Sequence, residues 1–140
     1  MIIKEEKKDL FSVDSKYYLV HCISADYKMG AGIALEFEKR FHIKSSIKKD
    51  DLKIEVGTTL FTNNKIFNLI TKEKYYNKPT YTTLRNALDG LKSICITRDI
   101  KYLAMPRIGC GLDKLYWNTV KIILEQVFYN TDIEILVCYL

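Results

Sequence analysis

Short apolar runs alternate with amphipathic segments from one end of the chain to the other, and this alternation constrains the fold more than any other feature. The run YYLVHCI (residues 17–23) is rich in β-branched and aromatic side chains and reads as a buried strand. IALEFEKRF (33–41) follows, with Ile33, Ala34, Phe37 and Phe41 close to one helical face. TTLFTNNKIFNLIT reads as two strands around Asn63-Asn64, a turn pair that tolerates positive φ. KPTYTTLRNALDGLKSICI sets Pro79 before an expected cap at Thr80, then Leu84, Ala87, Leu88, Leu91, Ile94 and Cys95 at helical spacing. The strand KYLAM comes next. A helix from Trp117 turns Val120, Ile123, Leu124, Val127 and Phe128 inward, and IEILVCYL closes the chain as a strand. Strands alternating with helices imply one α/β domain over residues 1–140, a three-layer α/β/α sandwich with a central mixed sheet.

A chain of 140 residues buries about two-thirds of its unfolded surface and needs no staple to hold a core. No apolar run reaches membrane-spanning length, and the opening MIIKEE has none of the features of a signal peptide, so a cytoplasmic protein is expected. Cys22, Cys95, Cys110 and Cys138 are scattered without metal-ligand spacing, which predicts free thiols and no metal site. The net charge is +5, but the lysines are interleaved with acids; only IKSSIKKDDLK concentrates charge. A basic nucleic-acid-binding domain stands as an alternative, and it would show steep salt dependence.

In an α/β sheet, ligands bind beyond the carboxyl ends of the strands. Two glycine loops fall there: KMGAGIALEF, with Gly30-Ala31-Gly32 before a helix, and AMPRIGCGLDK, with Gly109-Cys110-Gly111 between KYLAM and the next helix. Glycine lets backbone N–H groups approach a phosphate with no Cβ in the way, and a helix N-terminus adds a favourable field. Neither loop carries the GK[ST] of a P-loop or a GxGxxG fingerprint. His21 and Cys22 are adjacent on a strand, so they point to opposite faces and form no thiolate–imidazole pair. Cys110 reads as a small, partly buried filler, and Tyr75, Tyr76, Tyr81 and Tyr102 as packing or surface aromatics.

The order KKDLF, LVHCISADYKMGAGIALEFEKRF, NLITKEKYYNKPTYTTL, MPRIGCGLDKL and EILVCYL resembles the macrodomain superfamily, and within it the terminal ADP-ribose protein glycohydrolase branch, the ALC1-like macrodomains. The resemblance runs from about residue 7 to 140. It implies an ADP-ribose-binding hydrolase that needs no cofactor and acts on ADP-ribosylated proteins; a monomer is the default expectation. It implies that Asp9, with Leu10 beside it, accepts a hydrogen bond from the adenine amino group. Ser24 would lie near the distal ribose, with His21 and Cys22 shaping the strand beneath it. Met29, Gly30, Ala31, Gly32 and Ile33 would cover the phosphates and distal ribose. Gly109, Cys110, Gly111 and Leu112 would form the second phosphate loop, and Pro106, Ile108 and Leu140 would be further ligand contacts. Lys72 falls on the family's nucleophile and Asp113 on its acid/base. Two departures stand out: Lys8 precedes Asp9 where the family has glycine, and Cys138 stands where the family often has an aromatic.

The implied chemistry is sound on its own terms. A lysine amine attacks the anomeric carbon of an ADP-ribosyl ester, in its ring-opened, aldehyde-like form, and gives a Schiff base. It must be neutral to do so, and at a reference pKa near 10.4 only about one lysine in 2,500 is neutral at pH 7. Burial or a cationic neighbour would help, with Lys28, Lys74 and Arg107 the candidates. Asp113 would protonate the leaving carboxylate. The same pocket would suit deacylation of O-acetyl-ADP-ribose or removal of ADP-ribose from a DNA base, and without catalysis it would make an ADP-ribose reader.

Overall fold

Connections that run through a helix or a long crossover return each strand to the sheet in the same direction, and five of the six strands are parallel for that reason. The computed structural model describes residues 1–140. Its strands are β1 (Ile2–Lys7), β2 (Tyr18–Ser24), β3 (Thr58–Thr62), β4 (Ile66–Lys72), β5 (Tyr102–Met105) and β6 (Glu134–Tyr139), in the order β1-β6-β5-β2-β4-β3. The exception, β3, pairs antiparallel with β4 through the Asn63-Asn64 turn. Both asparagines have positive φ (58° and 49°), and Lys65 N donates to Thr62 O at 3.1 Å, the geometry of a type I′ hairpin.

Strand periodicity splits the core in two. On β4, Phe67 and Leu69 face α3 (Tyr81–Arg98) and α4 (Trp117–Val127), where Leu84, Leu88, Leu91, Val120 and Leu124 are buried with them. Ile66 and Ile70 face the other way, onto α1 (Gly32–Phe41) and α2 (Ile43–Lys49), with Phe37, Ile43 and Ile47. The mixed sheet with helices on both faces is the expected three-layer sandwich. Thr80 caps α3 in a reciprocal box: its Oγ1 accepts from Thr83 N at 3.0 Å, and Thr83 Oγ1 accepts from Thr80 N at 3.1 Å. No helix is long and apolar enough to cross a membrane.

Two elements were not apparent from periodicity. α2 occupies the lysine-rich IKSSIKK, where only Ile43 and Ile47 are buried; two apolar positions one turn apart are too few to stand out in seven residues. β1 is an edge strand with five of its six residues exposed, held by its ladder to β6 rather than by side-chain burial.

Candidate active site

Because β1, β2, β4, β5 and β6 are parallel, their carboxyl ends share one edge, and the segments leaving them line a single cleft of about 1770 Å³. Its walls carry seven cationic side chains (Lys8, Lys28, Arg40, Lys72, Lys78, Arg107 and Lys114) against three carboxylates (Asp9, Glu36 and Asp113). Such a lining favours an anionic ligand. No three His, Cys, Asp or Glu side chains come together to hold a metal ion.

At one end, β1 gives way to a short 3₁₀ turn (Leu10–Ser12) capped by Asp9, whose Oδ1 accepts from Phe11 N at 3.0 Å. Lys8 needs none of glycine's freedom: its φ is not positive, and its N–H donates to Tyr139 O at 2.8 Å, prolonging the ladder to β6. Cys138 is 4% exposed and packs with Leu10 and Phe37, while the ring of Tyr139 is covered at 4.4 Å by the Arg107 guanidinium. The aromatics lining this end are therefore Phe11 and Tyr139.

The first glycine loop leaves β2 at Ser24. Tyr27 and Met29 both take positive φ (39° and 47°), a strained arrangement for side-chain-bearing residues. Asp26 holds the loop in place. Its carboxylate accepts from Ser24 Oγ and from Tyr75 N at 3.1 Å, and the strand-end ladder continues with Ala25 N to Lys72 O at 2.8 Å. Burial pushes the Asp26 carboxyl up, but hydrogen bonds from Ser24, Tyr75 and Lys28 outweigh it and leave the pKa lowered. A Cβ on Gly30 would meet nothing within 4 Å, so the backbone there lies open to the cleft.

The second loop answers it from β5. Gly111 is equally bare. Gly109 has φ +73°, Leu115 N donates to its carbonyl at 2.7 Å, and a Cβ there would lie 2.8 Å from Leu115 Cδ1. Gly109→Ala is therefore expected to cost about 1–3 kcal/mol through strain and collision, read as a lower midpoint in urea unfolding with an unchanged slope. The loops meet where a Cβ on Gly32 would come within 3.2 Å of Leu112 Cδ1. The Cys110 thiol donates to Ile108 O at 3.3 Å, and burial pushes its pKa up to about 11. It is not an acidified nucleophile.

Between the loops, Lys72 at the end of β4 donates from Nζ to Asp113 Oδ1 at 2.6 Å. Both side chains are about 15% exposed (14% and 16%), so the pair is largely shielded yet open to the cleft. The charged group in contact with Lys72 is thus a carboxylate. Of the cations expected beside it, Arg107 lies 3.7 Å from Glu5 and Lys74 acts on Asp26. The register shifts opposite Ile23 and Ser24, where Thr71 of β4 is skipped as in a bulge, and this sets Ser24 opposite Lys72.

All but one of the residues picked out as ligand contacts line the cleft: Asp9, Leu10, Ser24, Met29, Gly30, Ala31, Gly32, Ile33, Pro106, Ile108, Gly109, Cys110, Gly111, Leu112 and Leu140. His21 is the exception. It is fully buried on the α1 side of the sheet, its ring stacked on Phe37 at 3.9 Å and its Nε2 2.6 Å from Asn68 Oδ1. Depth along the strand explains the correction: His21 lies beneath the cleft floor, whereas Cys22, Ile23 and Ser24 at the carboxyl end of β2 all line it. Residues not picked out as ligand contacts include Phe11, Tyr139, which stands next to Cys138, and Asp26, which organises the first loop; Asp26 carried a signal in its place two residues after Ser24.

No protein-family model matches the chain. It is 45% identical over 132 residues to ADP-ribose glycohydrolase OARD1 of Bos taurus, covering 94% of this chain and 87% of that protein. In structure it is similar to the macrodomain of Thermus aquaticus DarG, with a TM-score of 0.82 at 18% identity and 99% of both chains covered. Thermosipho africanus DarTG, solved in complex with ADP-ribose, matches at a TM-score of 0.79 and 20% identity over 98% of this chain and 41% of that one. The fold is that of a macrodomain. More narrowly, the chain belongs to the family of ADP-ribose glycohydrolase OARD1.

Proposed function

We propose that this protein hydrolyses the bond between ADP-ribose and a carboxylate of a mono-ADP-ribosylated protein, acting as a monomer with Lys72 as nucleophile and Asp113 as acid/base. The observation that carries the reading is the 2.6 Å contact between Lys72 Nζ and Asp113 Oδ1, set between two bare glycine loops in a cationic cleft. Its family membership supports ADP-ribose as the ligand. Asp9 at one end would take the adenine amino group, and the amides around Gly30 and Gly111 the pyrophosphate. The ester would then lie over Lys72.

A proton passed from Nζ to Oδ1 leaves the two species the reaction needs, a neutral amine and a protonated acid. The amine attacks the anomeric carbon of the distal ribose in its closed-ring form rather than the ring-opened form expected from the sequence, because an acyl group on that carbon leaves no aldehyde until it departs. The bond from that carbon to the acceptor oxygen breaks, and the departing carboxylate takes the proton from Asp113. The resulting glycosylamine opens its ring to an imine. Water, deprotonated by Asp113, adds to that carbon, the C–N bond breaks, and Lys72 recovers its proton as ADP-ribose leaves. An acetyl ester on the anomeric oxygen of ADP-ribose fits the same sequence, with acetate as leaving group.

The test is release of free ADP-ribose from two protein substrates, one modified on glutamate and one on serine. Release from the glutamate ester alone is expected, because a carboxylate is a far better leaving group than an alkoxide. Tight binding of ADP-ribose without release from either would overturn the enzymatic reading in favour of a reader.

A further inference from the structure

Asp113 must be presented accurately, yet burial does little to hold the segment that carries it. Leu112 is 66% exposed and Tyr116 77% exposed, and Lys114 sits at φ +60°, an unfavourable conformation for a side-chain-bearing residue. Hydrogen bonds hold this segment instead. Inside it, Lys114 N donates to Gly111 O at 3.2 Å and Leu115 N to Gly109 O at 2.7 Å. The remaining ties come from the end of β4, the connection after it and the first residue of α3. Lys72 reaches Asp113, Lys78 Nζ donates to Leu112 O at 3.1 Å, and Tyr81 OH accepts from Tyr116 N at 3.0 Å.

We propose that Lys78 is a positioning residue that fixes Asp113 against Lys72 by holding the carbonyl of the residue before it, with Tyr81 as a second tie three residues on. The proposal rests on the catalytic reading of Lys72 and Asp113. Lys78 is suited to the task because the backbone that follows it is anchored. Pro79 is buried behind it, and Thr80 starts α3 with a reciprocal cap. An ammonium donating to a carbonyl is a charge-assisted bond, stronger than a neutral one. Because Leu112 O belongs to the peptide that enters Asp113, a shift there moves the carboxylate directly. Misplacement of a catalytic group by about 1 Å costs on the order of a hundredfold in rate; partial loosening costs less.

The test compares wild type with Lys78→Met, Lys78→Arg and Tyr81→Phe. Lys78→Met is expected to lower kcat on the glutamate ester about tenfold, with KM and ADP-ribose affinity within about twofold of wild type. Lys78→Arg keeps a donor and restores most of the rate, and Tyr81→Phe shows a smaller loss of the same kind. In an Asp113→Ala background, Lys78→Met should have no further effect, since a residue acting through Asp113 has nothing left to position. Amide hydrogen exchange should quicken in residues 111–116 of Lys78→Met and at Tyr116 of Tyr81→Phe, with the strands unchanged. A raised KM at constant kcat would overturn the proposal and make Lys78 a substrate contact. Equal loss in the Asp113→Ala background, or unchanged exchange, would overturn it too. Failure of the wild type to release ADP-ribose would instead remove the catalytic reading, and exchange would still decide whether the tie holds the segment.

Discussion

Lys72→Ala is expected to release ADP-ribose from a glutamate ester at least 10³-fold more slowly than wild type, on the order of the loss that follows removal of a covalent nucleophile. ADP-ribose should still bind, because the glycine loops and Asp9 are untouched. Lys72→Arg is the sharper variant. A guanidinium can keep the ion pair with Asp113, so the fold and the charge of the cleft are preserved, but it does not form an imine. It should be as inactive as Lys72→Ala while melting nearer to wild type, since alanine leaves a carboxylate only 16% exposed without its partner. Asp113→Ala should lose about 10²–10⁴-fold, the usual range for a general acid/base. Sodium borohydride added during turnover should trap the imine as a stable adduct on Lys72, visible by mass spectrometry in wild type and missing from both Lys72 variants. Retained activity in Lys72→Ala would sink the covalent route and leave Asp113 activating water directly.

The second large effect is on stability in acid. Asn68 Nδ2 donates to Leu60 O at 3.1 Å and to Thr62 Oγ1 at 3.0 Å, so its Oδ1 is the acceptor facing His21. Nε2 of His21 therefore carries the proton, and Nδ1 is a buried acceptor with no partner. Protonating Nδ1 would place a charge against Phe37 with nothing to receive the hydrogen bond. Burial holds the His21 pKa down at about 4, and the hydrogen bond to Asn68 offsets only part of that effect. The unfolded chain takes up this proton near pH 6.5. Between the two values the unfolded state binds more protons, so stability falls as pH falls from about 6.5 to 4 and is fully present above that window. The loss amounts to about 3 kcal/mol at the acid end. Carboxylates held below their ordinary pKa, Glu5 and Glu134 among them, lose their contribution at lower pH still. His21→Gln removes the titration. Urea unfolding across pH 4–7 should show a flatter curve for that variant, and an unchanged slope would refute the assignment.

Much of this architecture is legible in one dimension because the signals are local. The apolar periodicity of α3 and α4, the Asn63-Asn64 hairpin and the glycine loops each need only neighbouring residues to declare themselves. The resemblance singled out Lys72 and Asp113, 41 positions apart, and the fold brings them within 2.6 Å. α2 and β1 were illegible for the opposite reason: their hold on the molecule comes from a layer or a ladder supplied by distant residues.

Alternation told that His21 and Cys22 face opposite ways, but not which faces the cleft. That follows from how far down β2 the cleft reaches, since Cys22, Ile23 and Ser24 line it and His21 lies beneath them. Likewise the bulge that sets Ser24 opposite Lys72, and the contact of Lys78 with Leu112 across 34 positions, have no counterpart in local spacing. The amino-acid sequence by itself determined the layers, the loops and the chemical types available at the strand ends. Only tertiary structure decided their meeting, because contact across a cleft depends on strand order and register, which are set by packing over the whole domain.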